Sequence, residues 1–244
     1  MNAYDFFTED ELDFLHDWFS HGPSTRNKQC KAITSIGKKI YKRFRNKYCS
    51  KTVYRGIYFD GSVSLAPVDT IFAGGKLTPN KPCESWTTDE MTAVSVSKQG
   101  SIADKIGFKE QPMNDVGLVF ERESNDWSCL LPIPLLFNFS WDDNSRYDVM
   151  IDIEKQYKEE EIILKSTPLR LKNVKYAYIH GDVFRPRSIS YMKDVTKHIH
   201  PVLLDSIQHQ YMENYKMFWV DLFFKKGRIV KQKVRNTRGV LYSV

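Results

Sequence analysis

The chain is poor in the features that mark membrane-spanning, disulfide-built or metal-dependent proteins. None of its apolar runs reaches eighteen residues, and the longest blocks are broken by charge or proline, so no transmembrane helix is expected. Cysteine is scarce. Cys30, Cys49, Cys83 and Cys129 stand far apart and form no CxxC pair, which argues against a zinc site and against a disulfide framework. His198 and His200, with His209 further on, have no acidic or cysteine partner at supporting spacing, and no metal site is expected. The N-terminus, MNAYDFFTEDELDF, is acidic and amphipathic, unlike a signal or transit peptide, and the chain reads as cytoplasmic with no membrane partner. Internal repeats and low-complexity stretches are absent as well.

The most informative absence is of acid. Residues 24–51 hold ten Lys/Arg and no Asp or Glu, and residues 225–238 hold seven and again no acid. The remaining 19 basic residues face all 30 acidic ones, so the formal charge of +6 conceals an acidic middle between two basic segments. Such polarity suits a polyanionic or acidic-protein partner, and nucleic acid is one candidate for it. Two solvated element faces would read the same way.

What is present is one good core's worth of apolar sequence: 244 residues, 41% of them hydrophobic. Thr8 and Glu11 form a capping box ahead of Leu12, Phe14, Leu15 and Phe19, which predicts a helix over about 8–20, stopped by His21-Gly22-Pro23. Ser24 or Thr25 can cap a second helix to about Tyr48, with Ile33, Ile36, Ile40, Tyr41 and Phe44 on its apolar face and lysine and arginine on the other. From Thr52 the character turns to β. TVYRGIYF predicts a strand, 65–72 a short helix ended by Gly74, and SWTT a strand running into a helix over about 89–97 capped by Asp89. VGLVFER (116–122) predicts a further strand. Residues 130–139, with Pro132 and Pro134, predict a packed loop or edge. EIILKS and LRLKNVKYAYIHGD (169–182) predict two more strands. Residues 202 to about 224 read as the main C-terminal helix, followed by a basic tail. The class is α+β.

Three short features carry chemistry. In Tyr54-Arg55-Gly56 an arginine sits inside a β run, where a guanidinium needs an anion, and the adjacent glycine permits close approach to the backbone. In Ser85-Trp86-Thr87 two hydroxyls share one side of a strand and can hold another side chain. In Glu159-Glu160-Glu161, strand alternation would put Glu159 and Glu161 on one face and Glu160 on the other, and paired carboxylates raise one another's pKa. Read alone, that last stretch fits a solvent-facing acidic edge at least as well.

Their order and spacing change the reading. An Arg on a first strand, a Ser-x-Thr some thirty residues on, and a Glu-x-Glu further along resemble the arginine-serine-glutamate pattern of the mono-ADP-ribosyltransferases of the cholera-toxin-like class. The closest likeness is to the arginine-directed branch, which includes bacterial toxins and bacteriophage-encoded host-modifying enzymes. The resemblance spans roughly residues 50–180. It implies split antiparallel β-sheets with flanking helices and NAD⁺ in the cleft between the sheets. It also implies Glu161 beside the ribose, Ser85 with Thr87 orienting it, Arg55 on the NAD⁺ phosphates, Tyr54 beside them, Gly56 on the nicotinamide carboxamide, and Glu159 holding and deprotonating the acceptor. NAD⁺ enters as substrate, and the implied acceptor is an arginine of a host protein, in a transcription or translation assembly, reached in the host cytoplasm. The core is then 51–182, preceded by a helical region (1–50) packed on it and followed by a helical extension with a basic tail (183–244). These basic ends are expected to recognise the target. A nucleic-acid acceptor, or a non-catalytic nucleic-acid-binding module, stands as the alternative.

Overall fold

The computed structural model describes residues 1–21, 27–44, 51–61, 63–98, 115–125, 129–141, 160–181, 192–205, 207, 218–236 and 239–244. In chain order the helices are α1 (Ala3–Phe6), α2 (Glu9–His21), α3 (Asn27–Arg43), α4 (Ala66–Phe72) and α5 (Glu90–Ser97). The strands are β1 (Thr52–Phe59), β2 (Lys76–Leu77), β3 (Cys83–Thr87), β4 (Asp115–Glu123), β5 (Cys129–Pro132), β6 (Glu161–Lys165), β7 (Leu169–Arg170), β8 (Val174–Gly181), β9 (Phe218–Lys225), β10 (Arg228–Asn236) and β11 (Gly239–Ser243). The fold is mixed α and β with antiparallel sheet throughout the named pairings. Among the described residues, no helix is long and apolar enough to cross a membrane.

Two compact units divide the chain: Met1–Arg55 with Pro79–Thr92 and Arg122–Thr167, and Gly56–Thr78 with Ala93–Glu121 and Pro168–Val244. In the first, β1, β3, β6 and β5 lie side by side in that order. Ile162, Ile163 and Leu164 of β6 are all buried, so both faces of this strand are covered. The capping box forms as its sequence requires: the Thr8 amide donates to Glu11 Oε2 at 2.9 Å and the Glu11 amide to Thr8 Oγ1 at 3.3 Å. Helix α2 buries Leu12, Leu15 and Trp18, and α3 buries Ile33, Ile36 and Ile40 while Lys31, Lys38 and Lys42 face water. Pro132 closes the edge strand β5, and a 3₁₀ turn over Ile133–Asn138 follows, as the paired prolines suggested.

In the second unit the order is β11, β10, β9, β8, β4. Strict alternation gives this sheet two unlike faces. Val116, Ile179, Val220 and Val234 stand in register across β4, β8, β9 and β10, with Leu118, Ala177 and Leu222 in the next row, and all are buried. Phe224 continues this apolar face and meets Phe72 of α4 edge-on, with ring centroids 5.8 Å apart. The intervening positions carry polar and aromatic side chains.

The C-terminal region corrects the sequence reading. The expected helix over 202–224 is confined, among the described residues, to the turn at 201–205 and residue 207, while Phe218–Lys225 is a strand, and the expected basic tail forms β10 and β11. A short apolar run such as FWVDLFF satisfies the strand period as readily as the helical one. The turn decides between them. Lys226 and Gly227 both take positive φ (51° and 78°), the two-residue geometry that matches the twist of a tight hairpin, and they seat Lys225 opposite Arg228. The region 169–182 likewise divides, into β7, a 3₁₀ turn at Leu171–Asn173 and β8.

Helix α5 begins where Asp89 predicts it. Its carboxylate accepts from the Met91 amide (3.0 Å), the Thr92 amide (3.1 Å) and the Thr92 hydroxyl (2.7 Å). These bonds, the Thr92 hydroxyl foremost, hold the Asp89 pKa below its ordinary value. Asp89→Ala is expected to cost about 1 kcal/mol, read as a fall in Tm of roughly 2–4 °C. Because the folded pKa is the lower one, the cap's contribution is complete above the unfolded carboxylate pKa of about 4 and is lost as pH falls through the folded value. The Asp89→Ala difference should therefore shrink in acid melts.

Candidate functional site

The three motifs fall on neighbouring strands. Tyr54 of β1 stands opposite Thr87 of β3, and Thr87 stands opposite Glu161, the first residue of β6. Directly paired residues share a face, so Tyr54, Thr87 and Glu161 form one row. Ser85, opposite Ile163, lies on the same face two positions further along β3. The Thr87 hydroxyl accepts the Asp89 amide at 2.9 Å, which ties the end of β3 to the start of α5. Glu161 is half-buried, and its Oε1 accepts the indole N–H of Trp18 at 2.9 Å.

Trp18 is the site residue that the sequence did not disclose. On α2 it continues the stripe of Leu12 and Leu15 and reads as core, which it also is, with 2% of its surface exposed. Its N–H is what sets it apart, since a buried indole almost always finds an acceptor. The N-terminal helical region thus supplies a group to the carboxylate.

Arg55 does not join this row. Alternation along β3 sends Glu84 and Trp86 to the face opposite Ser85 and Thr87, and the Arg55 guanidinium is ion-paired with the Glu84 carboxylate. Glu84 keeps only 7% of its side-chain surface, against 21% for Arg55. Arg122 completes the cluster: its guanidinium lies 4.5 Å from the centroid of the buried Trp86 ring, donates to the Lys165 carbonyl at 3.1 Å and bonds the Thr167 hydroxyl. Burial depresses the Arg122 pKa, with Glu84 pulling it back up and Arg55 pushing it down. The anion expected for Arg55 is therefore supplied by the protein, and the expected convergence of Arg55 with Ser85 and Glu161 is not what the register gives.

Gly56 is also differently employed. A Cβ built there would lie 2.0 Å from the Ala93 carbonyl oxygen and 2.8 Å from the Ser97 amide nitrogen, so the close approach it permits is that of α5, not of a ligand. Gly117 repeats the device, with Ser97 O 2.1 Å from its would-be Cβ. Gly56→Ala has backbone in its way and no flexible side chain to yield, and overpacking of this kind costs about 3 kcal/mol. A loss of roughly 6–12 °C in Tm is expected, and unchanged melting would show that α5 can lift away.

Of the three glutamates, Glu159 lies outside the described residues. Glu160 has φ of 44° and precedes the strand, so alternation does not run through the run as the sequence suggested. Its exposed carboxylate bonds the Thr88 hydroxyl.

A second cluster lies wholly within the second unit. On the face away from the apolar rows, Asp115, His180, Trp219 and Arg235 stand in register across β4, β8, β9 and β10, beside the row of Gly117, Tyr178, Asp221 and Lys233. With Tyr58, and with Ser97 and Lys98 at the end of α5, these residues line a cavity of about 290 Å³. Asp221 and Arg235 are ion-paired at 2.8 Å. The ammonium of Lys98 sits 3.9 Å from the Tyr178 ring centroid, and burial lowers its pKa, partly offset by the attraction of Asp221. Burial raises the pKa of Asp115 against the opposing hydrogen bonds from Tyr58 and the Gly61 amide, the latter at 3.1 Å. The signal for this cluster was in the sequence as the alternations Asp-x-Gly, Tyr-x-His, Trp-x-Asp and Lys-x-Arg. It became visible only once 218–236 was seen as strand. Among the described residues no group of His, Cys, Asp and Glu is placed to hold a metal ion; the backbone N–H of His200 and carbonyl of His198 are instead engaged by the Gln232 side chain, and His209 lies outside the described residues.

Comparison with family models, with curated proteins and with solved structures finds no match.

Proposed function

We propose that the protein is an NAD⁺-dependent mono-ADP-ribosyltransferase of the arginine-directed kind, with Glu161 as its central carboxylate. The observation that carries the reading is the row Tyr54–Thr87–Glu161, in which the motif strands β1, β3 and β6 lie next to one another and the glutamate is held by an indole N–H. In the reaction the bond from nicotinamide to ribose C1′ breaks and nicotinamide leaves with the electron pair. An arginine nitrogen of the acceptor then forms its bond to C1′ and loses a proton. The transition state has oxocarbenium character, and a fixed carboxylate beside the ribose stabilises the positive charge as it develops. Glu161 fills that role, Ser85 and Thr87 line the same face, and Trp18 fixes the carboxylate's orientation. The resemblance gives Glu159 the task of receiving the acceptor's proton. Arg55 braces β1 against β3 through Glu84. Within the family-like arrangement of split sheets, NAD⁺ would lie on the Glu161 side.

Incubation of the protein with NAD⁺ labelled in the adenylate moiety and a cell lysate tests this. Label is expected on protein, removable by chemistry selective for arginine-linked ADP-ribose. Label on nucleic acid would instead assign the acceptor to the partner suggested by the basic segments. The absence of any NAD⁺ turnover would remove the enzymatic reading.

A further inference from the structure

We propose that the cavity over β4, β8, β9 and β10 is a binding site for a single planar heteroaromatic ring carrying one anionic group. The walls argue for the ring. Tyr58, Tyr178, His180 and Trp219 all line the space, and His180 and Trp219 already stand nearly parallel, 9° apart in plane with centroids 5.2 Å apart. A flat ligand continues that stack at little conformational cost, because the rings that receive it are held in register by the sheet. The size argues for one ring system. A volume of about 290 Å³ is at the small end of ligand pockets, too little for a dinucleotide and ample for a monosubstituted ring or a mononucleotide.

The charges argue for the anion. Two cations, Lys98 and Arg235, and two acids, Asp115 and Asp221, line the cavity. Asp221 is bonded to Arg235, so its attraction for Lys98 is shared. Asp115 is buried, is already bonded to the Gly61 amide, and lies in a setting that favours its neutral form. The ammonium of Lys98, at the end of α5 over Tyr178, is thus the pole to which an anionic substituent is drawn. In a partly desolvated site such a charge-assisted bond contributes more than it does in water. The row of Asp115 and His180 then faces the far edge of the ring, where a carboxyl and an imidazole can meet the ring's donors and acceptors.

The anionic group has two plausible sources, a carboxylate on the ring or a phosphate on an attached sugar, and calorimetric titration of the full chain separates them. Nicotinate is compared with nicotinamide, and adenosine and uridine 5′-monophosphates with their nucleosides. At least one anionic probe is expected to bind at micromolar to low-millimolar concentration, and its neutral counterpart about tenfold or more weakly, in line with a single charge-assisted bond. Lys98→Met keeps the aliphatic stem over Tyr178 and should reduce the anion's affinity about tenfold while leaving Tm unchanged. No binding by any probe would overturn the proposal. So would equal affinities for anionic and neutral probes, or an anion whose binding is indifferent to Lys98→Met. The cavity does not depend on the transferase reading, since the Glu161→Gln variant should bind these probes as the native chain does.

Discussion

Glu161→Gln is expected to abolish ADP-ribosyl transfer while leaving the protein folded. The amide is isosteric with the carboxylate, and its carbonyl oxygen can still accept the Trp18 indole N–H that now reaches Oε1 at 2.9 Å. Ile162 and Ile163, immediately following, are buried irrespective of the charge. What the substitution removes is the negative charge facing the ribose as the nicotinamide bond breaks. Loss of one preorganised electrostatic partner at a developing charge typically lowers kcat by about 10²–10³-fold, and with the only central carboxylate gone the larger figure is expected. Initial rates of label transfer from NAD⁺, measured beside thermal melts, read both effects. Trp18→Phe supplies the graded companion. It leaves the charge in place but frees its orientation, so transfer should fall by about tenfold, with a larger effect on kcat than on KM. Native rates in Glu161→Gln would sink the assignment of the central glutamate whatever the acceptor.

Arg55→Met is expected to damage the fold and not merely weaken NAD⁺ binding. Arg55 is ion-paired with Glu84, whose side chain is 7% exposed, and removing one member of a buried pair strands the other charge. Such losses run to about 3–5 kcal/mol. Arg122, which also feels Glu84, remains to soften the effect, so about 3 kcal/mol is expected here. For a chain of this size that is a fall in Tm of roughly 6–12 °C. Glu84→Met should be comparably costly. The double variant places two apolar side chains where the pair stood, and it should be less destabilised than the sum of the singles by at least about 1 kcal/mol. An arginine that holds NAD⁺ phosphates gives the opposite pattern. Arg55→Met would then melt like the native protein and raise KM for NAD⁺, and the double-mutant cycle with Glu84 would show no coupling.

Local chemistry was legible wherever it was self-contained. The Thr8–Glu11 box, the Asp89 cap, the stop at Gly74 with its φ of 88° and the strand Thr52–Phe59 each depend on residues a few positions apart, and all are where the sequence puts them. The region 218–236 was misread because its apolar run is short enough for either period. The Lys226-Gly227 turn that decides the matter is also a weaker hairpin signal than Asn-Gly or Asp-Gly. Trp18 escaped notice because a side chain can be core by its ring and part of a site by its N–H at once. Its partner lies 143 residues away.

By itself the sequence determined the residue types and their order: an arginine and a glycine on one strand, hydroxyls at the end of another, a glutamate at the mouth of a third. Only the tertiary structure decided which faces they take. Side chains alternate along a strand, so a shift of one residue in pairing exchanges the two faces of the sheet. The pairing of Tyr54 with Thr87 and of Thr87 with Glu161 places the hydroxyls with the carboxylate. It gives Arg55 to Glu84 and fills the space beside Gly56 with the backbone of α5. The cavity at Lys98 arises in the same way, from two rows of four strands whose members lie far apart in the chain and meet only through register.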